Sequence, residues 1–353
     1  KNTKPTGSEG ITRDMGFTGS LNYSFDDRYL LDVNYRLNGS SDFGTNNRWG
    51  HFYSFGLGWN LHKESFFSDI EWIERIKFRA STGYTGSQGF NSYDAIATLN
   101  YYQSAYQGEL GSYLMGLANP DLQWQKTQDN NIGVDITLMD ALDVTFDCYI
   151  KKTQNLLTPV SLPPSAGFRS YTENLGETKN KGVEFKVNYR IVRDAERDLY
   201  FSVFTSGMHN KNRITKISDA LSLMNKDRDA DKTGGGGGNP NLEENSAITK
   251  PSVRYAEGQS MDAIWAVRSL GIDPATGKEV FLTKNGTPTF DYNADDRVKI
   301  ADTNPKIRGV FGISFTYKNL QASVNLRYNL GSFAFNSALF NKVENISASN
   351  IAY

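Results

Sequence analysis

Phe17, Gly19, Leu21, Tyr23 and Phe25 alternate with Thr18, Ser20, Asn22 and Ser24. After Asp26-Asp27-Arg28 the alternation resumes as Tyr29, Leu31, Val33, Tyr35 and Leu37 against Asp32, Asn34, Arg36 and Asn38. Side chains on a strand point to opposite faces at period two, so this pair predicts a sheet with one apolar, aromatic face and one polar, charged face. Ten such strands are predicted, at about 16–25, 29–39, 49–61, 75–85, 130–139, 142–152, 182–191, 199–208, 309–318 and 320–331. The strand at 199–208 has the poorest pattern, because Tyr200 and Phe204 fall on its polar side. A further partial strand is expected from Phe333.

Strands of soluble sheets usually run about five or six residues. These run nine to thirteen, the length that crosses a bilayer at a tilt. The connections alternate in length as well. Asp26–Arg28, Met139–Ala141, Asp194–Asp198 and Lys318–Asn319 are short and 62–74 is intermediate, whereas 40–48, 86–129, 153–181 and 209–308 are long. Short turns at one end and long loops at the other are the pattern of an all-β, antiparallel transmembrane β-barrel, with the long loops extracellular. Parity settles the segment Met261–Leu270. One more crossing there would put the Lys318-Asn319 turn on the wrong side, so 261–270 is expected to pair with 278–283 as a hairpin inside the long 209–308 region. The alternation predicts that Leu21, Val33, Phe55, Val134, Phe146, Val187 and Val324 face lipid, and that Asp32, Arg79, Asp135, Lys186 and Arg327 face the lumen.

The bulk numbers agree. A chain of 353 residues that is only 38% hydrophobic, with a mean hydropathy of −0.52, is unlike a helical membrane protein but suits a barrel, where alternate residues meet lipid. No run of eighteen apolar residues occurs, which excludes a transmembrane helix. With 38 basic and 39 acidic residues the net charge is −1, so nothing electrostatic points to nucleic acid. The lone Cys148 can form no internal disulfide. Lys1-Asn2-Thr3-Lys4-Pro5 lacks the apolar core of a signal peptide, and Asn350-Ile351-Ala352-Tyr353 ends the chain without a terminal strand. The chain is therefore expected to be a piece of a larger protein.

Candidate chemistry is sparse. His51, His62 and His209 sit on separate elements outside any H-E-x-x-H spacing and read as rim or surface residues. No G-x-S-x-G accompanies a suitable His and acid, so hydrolysis has no support and catalysis is disfavoured. Gly234–Gly238 lacks a following G-K-[ST] and reads as a flexible loop tip. Asp291, Asn293, Asp295 and Asp302 fall at positions one, three, five and twelve of a calcium-loop spacing, but Asp296 stands where Gly is needed and no helices flank the loop. A plain polar loop is the favoured reading, and no metal or cofactor is assigned. Tyr93, Tyr101, Tyr102, Tyr106 and Tyr113 crowd the 86–129 loop. Tyrosine faces stack on sugar rings or peptides while the hydroxyl bonds polar groups, which makes Tyr93, Tyr101, Tyr102 and Tyr106 candidate ligand-binding residues. Packing of loop on loop over the pore mouth is the alternative.

Asn119-Pro120-Asp121-Leu122-Gln123-Trp124-Gln125-Lys126-Thr127 resembles a segment of the SusC/RagA family of TonB-linked outer-membrane transporters. The resemblance continues in order through Tyr149–Leu157, Leu162-Pro163 with Gly167, Asn174–Glu184, Gly271–Gly277, and Asn304-Pro305-Lys306 leading into Tyr317-Lys318-Asn319-Leu320. It implies a plugged barrel of about twenty-two strands, of which residues 1–353 supply about ten as part of one barrel domain. It further implies a SusD-like surface lipoprotein as lid, the TonB complex acting through a plug outside this segment, outer-membrane lipids around the wall, and an oligosaccharide or peptide as cargo. The rival readings are a passive porin or adhesin barrel and, less favoured, a secreted soluble β-rich binding module.

Overall fold

The computed structural model describes residues 11–67, 70–87, 95–102, 107–114, 116–161, 168, 170–174, 176–217 and 252–336. In chain order the strands are β1 (Asp14–Phe25), β2 (Tyr29–Ser40), β3 (Trp49–Asn60), β4 (Ile73–Ser87), β5 (Leu99–Tyr101), β6 (Ser112–Leu114), β7 (Gln125–Leu138), β8 (Leu142–Gln154), β9 (Leu157–Ser161) and β10 (Ser170–Asn174). They continue as β11 (Glu177–Asp194), β12 (Leu199–Lys216), β13 (Ser252–Val253), β14 (Ala263–Ala266), β15 (Arg268–Ile272), β16 (Glu279–Leu282), β17 (Pro288–Thr289), β18 (Val298–Asp302), β19 (Ile307–Tyr317) and β20 (Leu320–Leu330). Ten of them form one sheet in the order β1-β2-β3-β4-β7-β8-β11-β12-β19-β20. Where the pairing is described it is antiparallel and joins neighbours along the chain. The fold is the expected all-β barrel wall. No helix among the described residues is long and apolar enough to cross a membrane.

Register explains why one face stays apolar. Leu21 pairs with Val33 and Val33 with Phe55; Val134 pairs with Phe146 and Phe146 with Phe185. Each row puts apolar side chains side by side on the same face, where they remain open: Leu21 is 61% and Phe146 41% exposed. Such exposure is tolerable only against lipid. At the short-turn end this face carries an aromatic ladder, Phe25–Tyr29–Trp59–Phe78, with ring centroids 6.2–6.5 Å apart. Trp49 lies ten residues from Trp59 on β3, about 34 Å along a strand. At the ~40° tilt usual for barrels that is about 25 Å of height, the width of an outer-membrane apolar band.

The tightest turns are built from left-handed residues. Asp26 and Asp27 (φ 54° and 51°) and Met139 and Asp140 (φ 52° and 49°) are consecutive positive-φ pairs. They are closed by Arg28 N–H donating to Phe25 O and Ala141 N–H to Leu138 O, both 3.0 Å. These are type I′ turns, whose twist matches the flanking strands.

Several expectations are corrected. Strands β7, β8, β11 and β12 extend beyond their alternating segments at the long-loop end: β7 starts at Gln125 rather than 130, β11 at Glu177 rather than 182, and β12 runs to Lys216 rather than 208. Past the lipid band both faces are polar, so the ladder continues while the period-two signal vanishes. The loops expected at 153–181 and 209–308 are correspondingly shorter. Residues 332–336 form no strand, and Phe333 N–H instead donates to Asp302 O at 3.0 Å. Within the long region the hairpin pairs Arg268–Ile272 with Glu279–Leu282, while Ala263–Ala266 joins β13 and β18 in another sheet. The aromatic on the polar side of β12 also has its reason. Gly312 lacks a side chain where Phe204 lies, just as Gly182 does beneath Tyr149, so lumen-face rings cover paired glycines.

The chain divides into two compact units, residues 1–210 with 310–326 and residues 211–309 with 327–353. In the first, the tightest packing is at the long-loop end of the sheet. Trp124, one residue before β7, stacks on Phe43 at 4.1 Å and meets Phe52 edge-on at 5.4 Å, with Tyr84 against the cluster. In the second, the sheets β13-β14-β18 and β15-β16-β17 bury Ala263, Ala266 and Phe281.

Candidate functional site

The polar face of the sheet is laced by ion pairs. Arg79 donates to Asp135 at 2.8 and 3.1 Å and to Asp147 at 3.3 Å. Arg75 approaches Asp135 at 3.8 Å, and the Thr145 hydroxyl donates to the same carboxylate at 3.2 Å. Nearer the short turns Arg190 donates to Asp143 at 2.8 Å, and Arg193 pairs with Asp140. At the other end Lys151 meets Asp129 at 2.9 Å. Pairs this accessible contribute about 0–1 kcal/mol each. Their main effect is to hold a charged wall in one geometry.

Acceptors on that wall that lack a hydrogen-bond partner among the described residues include Asp129 Oδ1, Asn180 Oδ1 and Asn210 Oδ1. Asp129 and Asn180 flank Lys151 in one cross-strand row. Shielded acceptors without donors are costly, and hydroxyl or amide groups from a ligand or water can satisfy them.

At the long-loop end, segments far apart in sequence are clamped together. Asn174 is the hub: its Oδ1 accepts Gln123 N–H at 2.9 Å, and its Nδ2 donates to Gln123 O at 2.8 Å and Asn155 O at 3.1 Å. Asn46 Nδ2 donates to Asp121 Oδ1 (3.1 Å) and Asn47 Nδ2 to Asp121 O (3.0 Å), while Gly44 N–H donates to Leu122 O at 3.1 Å. A Cβ on Gly44 would collide with the carbonyl of Pro120. Sequence reasoning missed this clamp, although Asp121, Gln123, Asn155 and Asn174 all lie inside the segments that carry the family resemblance.

The predicted tyrosines are only partly brought together. Tyr101 ends β5, and Tyr102 follows it with its N–H donating to Gly111 O at 2.9 Å. The Tyr102 and Tyr113 rings lie 5.1 Å apart, tilted by 47°, and Asn100 Nδ2 donates to the Tyr113 hydroxyl at 3.2 Å. Tyr101, Tyr102 and Tyr113 are all exposed, so β5 and β6 present an open aromatic surface. Tyr93 and Tyr106 lie outside the described residues, as does Gly234–Gly238.

The calcium spacing does not gather its oxygens. Asp302 accepts from Lys299 Nζ (3.2 Å), Ser260 Oγ (3.4 Å) and Asn304 N–H (3.1 Å), and Asn293 Oδ1 caps Asp295 N–H at 2.9 Å. No group of three metal-ligating side chains forms among the described residues. His51 bonds the Tyr35 hydroxyl at 2.7 Å, and His62 meets Ile76 O at 3.2 Å.

Three carboxylates outside the crossing segments are tuned. Glu64 is held below the usual carboxylate range by hydrogen bonds from Trp59 Nε1 (3.0 Å) and the Tyr29 hydroxyl (2.8 Å), aided by Arg28. The Thr276 hydroxyl, with backbone N–H groups, lowers Asp273. Burial first, and the charge of Asp302 second, push Asp262 up.

A lipid-facing apolar band, an aromatic belt, type I′ turns at one end and a charged opposite face define the wall of an outer-membrane β-barrel. The chain belongs to the family described as TonB dependent receptor-like, beta-barrel, matched over residues 2–348, and its place is the outer membrane. It is 28% identical over 339 residues to TonB-dependent receptor P3 of Formosa agariphila, covering 91% of this chain and 32% of that protein. It is also 28% identical over 347 residues to TonB-dependent receptor SusC of Bacteroides thetaiotaomicron, covering 96% and 33%. Among solved structures, the RagAB peptide importer in its closed-closed state superposes with a TM-score of 0.72 at 25% identity, covering 90% of this chain and 33% of that one. The SusC/RagA resemblance is thus borne out, and the chain spans about a third of the length of these relatives.

Proposed function

We propose that these residues form part of the wall and rim of a TonB-dependent importer that takes up a polar oligomer, an oligosaccharide or peptide, together with a SusD-like surface lipoprotein. The reading is one of transport, not catalysis. The observation that carries it is the lumen wall with unpaired acceptors at Asp129, Asn180 and Asn210, which suits a cargo rich in hydroxyl or amide donors. The exposed rings of Tyr101, Tyr102 and Tyr113 supply stacking faces of the kind that bind such cargo or the lid. Kinship with SusC and with a complex described as a peptide importer supports the same class. In this reading the long loops lie on the cell exterior.

The test uses the full-length receptor in cells. Uptake of the cognate oligomer should require TonB, and Tyr101→Ala with Tyr102→Ala should weaken capture by about tenfold, the size of a moderate interface hot spot. Uptake that continues without TonB would establish a passive porin instead. A cysteine at Ala275 should react with an impermeant maleimide on whole cells, and one at Asn319 should react only after permeabilisation. The reverse would invert the topology.

A further inference from the structure

The lipid-facing side of β7, β8 and β11 changes character abruptly toward the long-loop end. On β8 the outward series Phe146, Cys148, Ile150 is followed by Lys152; on β11 the series Phe185, Val183 is followed by Lys181, Lys179 and Glu177; on β7, Val134 and Ile132 give way to Asn130, Gln128 and Lys126. Register stacks these positions into three rows across adjacent strands. Asn130, Ile150 and Lys181 form the row nearest the apolar band, then Gln128, Lys152 and Lys179, then Lys126, Gln154 and Glu177.

Lys152 and Lys179 are directly opposed in the second row. Like charges facing each other across a strand pair are destabilising. Glu177 meets Lys152 at 3.0 Å and is the one acid among these nine positions, against four lysines. The excess is local to this sector. On β1 to β4 the outward positions at the same end are Met15, Phe17, Leu37, Trp49, His51, Tyr53 and Tyr84, with no lysine or arginine. A solvated strand end has no need to concentrate cations on one side of a barrel, nor to place them one step above the apolar side chains.

That height is where lipid headgroups lie. We propose that this sector is a docking surface for the phosphorylated headgroup of the glycolipid in the outer leaflet. Lys152, Lys179 and Lys181 pair with its phosphates as point charges. Asn130, Gln128 and Gln154 bond its sugar hydroxyls, and Ile150 and Val183 lie against the first carbons of its acyl chains. The anion removes the repulsion between Lys152 and Lys179, so the two features explain each other. The proposal rests on the long loops being exterior, which the Ala275 and Asn319 labelling tests separately.

The experiment uses the full-length receptor, purified in detergent and mixed with bisphosphorylated lipid A or its dephosphorylated form, with retained lipid counted by native mass spectrometry. The parent should retain the phosphorylated form selectively, and millimolar inorganic phosphate should not displace it. A lysine near an anionic membrane surface gives about fivefold in binding, so the triple variant Lys152→Gln, Lys179→Gln, Lys181→Gln should lose roughly a hundredfold. The matching triple Lys→Arg variant should retain the lipid, and Lys278→Gln with Lys284→Gln, in the other unit, should leave it unchanged. If the triple Gln variant fails the heat-modifiability check for folding, Lys181→Gln alone should still lose about fivefold. Equal retention of the two lipid forms, displacement by inorganic phosphate, or parent-like binding by the folded Gln variants would overturn the proposal.

Discussion

Placing arginine at Phe146 and at its neighbour Thr145 tests the orientation of the whole sheet. Phe146 is the midpoint of the outward series Leu142, Val144, Phe146, Cys148 and Ile150, four residues, or about 14 Å of strand, from either end. At a ~40° tilt that leaves about 10 Å of hydrocarbon on each side, and the flanking partners Val134 and Phe185 offer no counter-charge. An arginine at that depth costs about 2–4 kcal/mol, a factor of roughly 30 to 1,000 in the folding equilibrium. Thr145→Arg projects to the opposite face. There it loses one hydroxyl bond to Asp135, worth about 1 kcal/mol, and stands between Asp135 and Lys186 in its row, where attraction and repulsion oppose each other, so its net cost should stay at about 1 kcal/mol. The assay is urea-dependent folding of the full-length receptor into liposomes, followed by heat-modifiable migration. Phe146→Arg should shift the midpoint strongly and Thr145→Arg by much less. Equal shifts, or the larger shift at Thr145, would refute the assignment of faces.

Other consequences follow from particular contacts. Trp124→Ala should destabilise the receptor by about 3–5 kcal/mol through the cavity left between Phe43 and Phe52, and Trp124→Phe by markedly less in the same denaturation assay. Gly312→Val should impair folding because its side chain meets the Phe204 ring, and adding Phe204→Ala should restore part of the loss; no recovery in the double variant would dismiss the ring-over-glycine account. Glu64 has a lowered folded-state pKa, so its stabilising contribution is complete above its unfolded value of about 4.3 and is lost as pH falls through the lower folded value; Glu64→Gln should flatten that acid limb of the stability profile. Asp262 is shifted the other way, so its balance is best below the unfolded value of about 3.9 and worsens as pH rises through the folded one. Asp262→Asn should therefore slow hydrogen exchange around Thr303 at neutral pH.

The strands were legible because the environment imposed the pattern. Where one face meets lipid and the other water, every second residue is constrained, and the predicted edges at Phe25, Tyr29, Met139 and Leu142 fall within a residue of the observed ones. The short turns were equally plain, since only a few residues separate one alternating run from the next. Legibility failed wherever that constraint lapsed. The polar run from Gln125 to Asn131 is a paired strand with polar side chains on both faces, and nothing in its composition separates it from a loop. The division of 263–272 between two sheets turns on a local switch of partner that periodicity cannot encode. For the candidate site, tyrosine clustering pointed to an aromatic surface on which Tyr101 and Tyr102 are exposed, but it could not say that Tyr113 is the ring that meets Tyr102.

The clamp around Asn174 explains why the segments that announce the family lie at strand ends instead of in the membrane. Within the band any apolar residue of suitable size serves on the outward face, so identity is free to vary there. At the rim the chain leaves the ladder, and each backbone N–H and C=O needs a specific partner. Gln123 has both its N–H and its carbonyl satisfied by a single side-chain amide, and that amide also reaches Asn155. Only Asn and Gln carry two N–H donors and a carbonyl acceptor on one group, and the short Asn stem sets the reach. Asn174→Asp keeps the acceptor and loses both donated bonds, whereas Asn174→Ala loses all three. If the clamp fixes the rim, the two variants should graded-loosen the loops between β4 and β7 and between β8 and β11, read as protease sensitivity of the full-length receptor, while heat-modifiable migration of the barrel persists. Uniform loss of barrel folding in both variants would place Asn174 in the folding of the sheet, not in the shaping of its mouth.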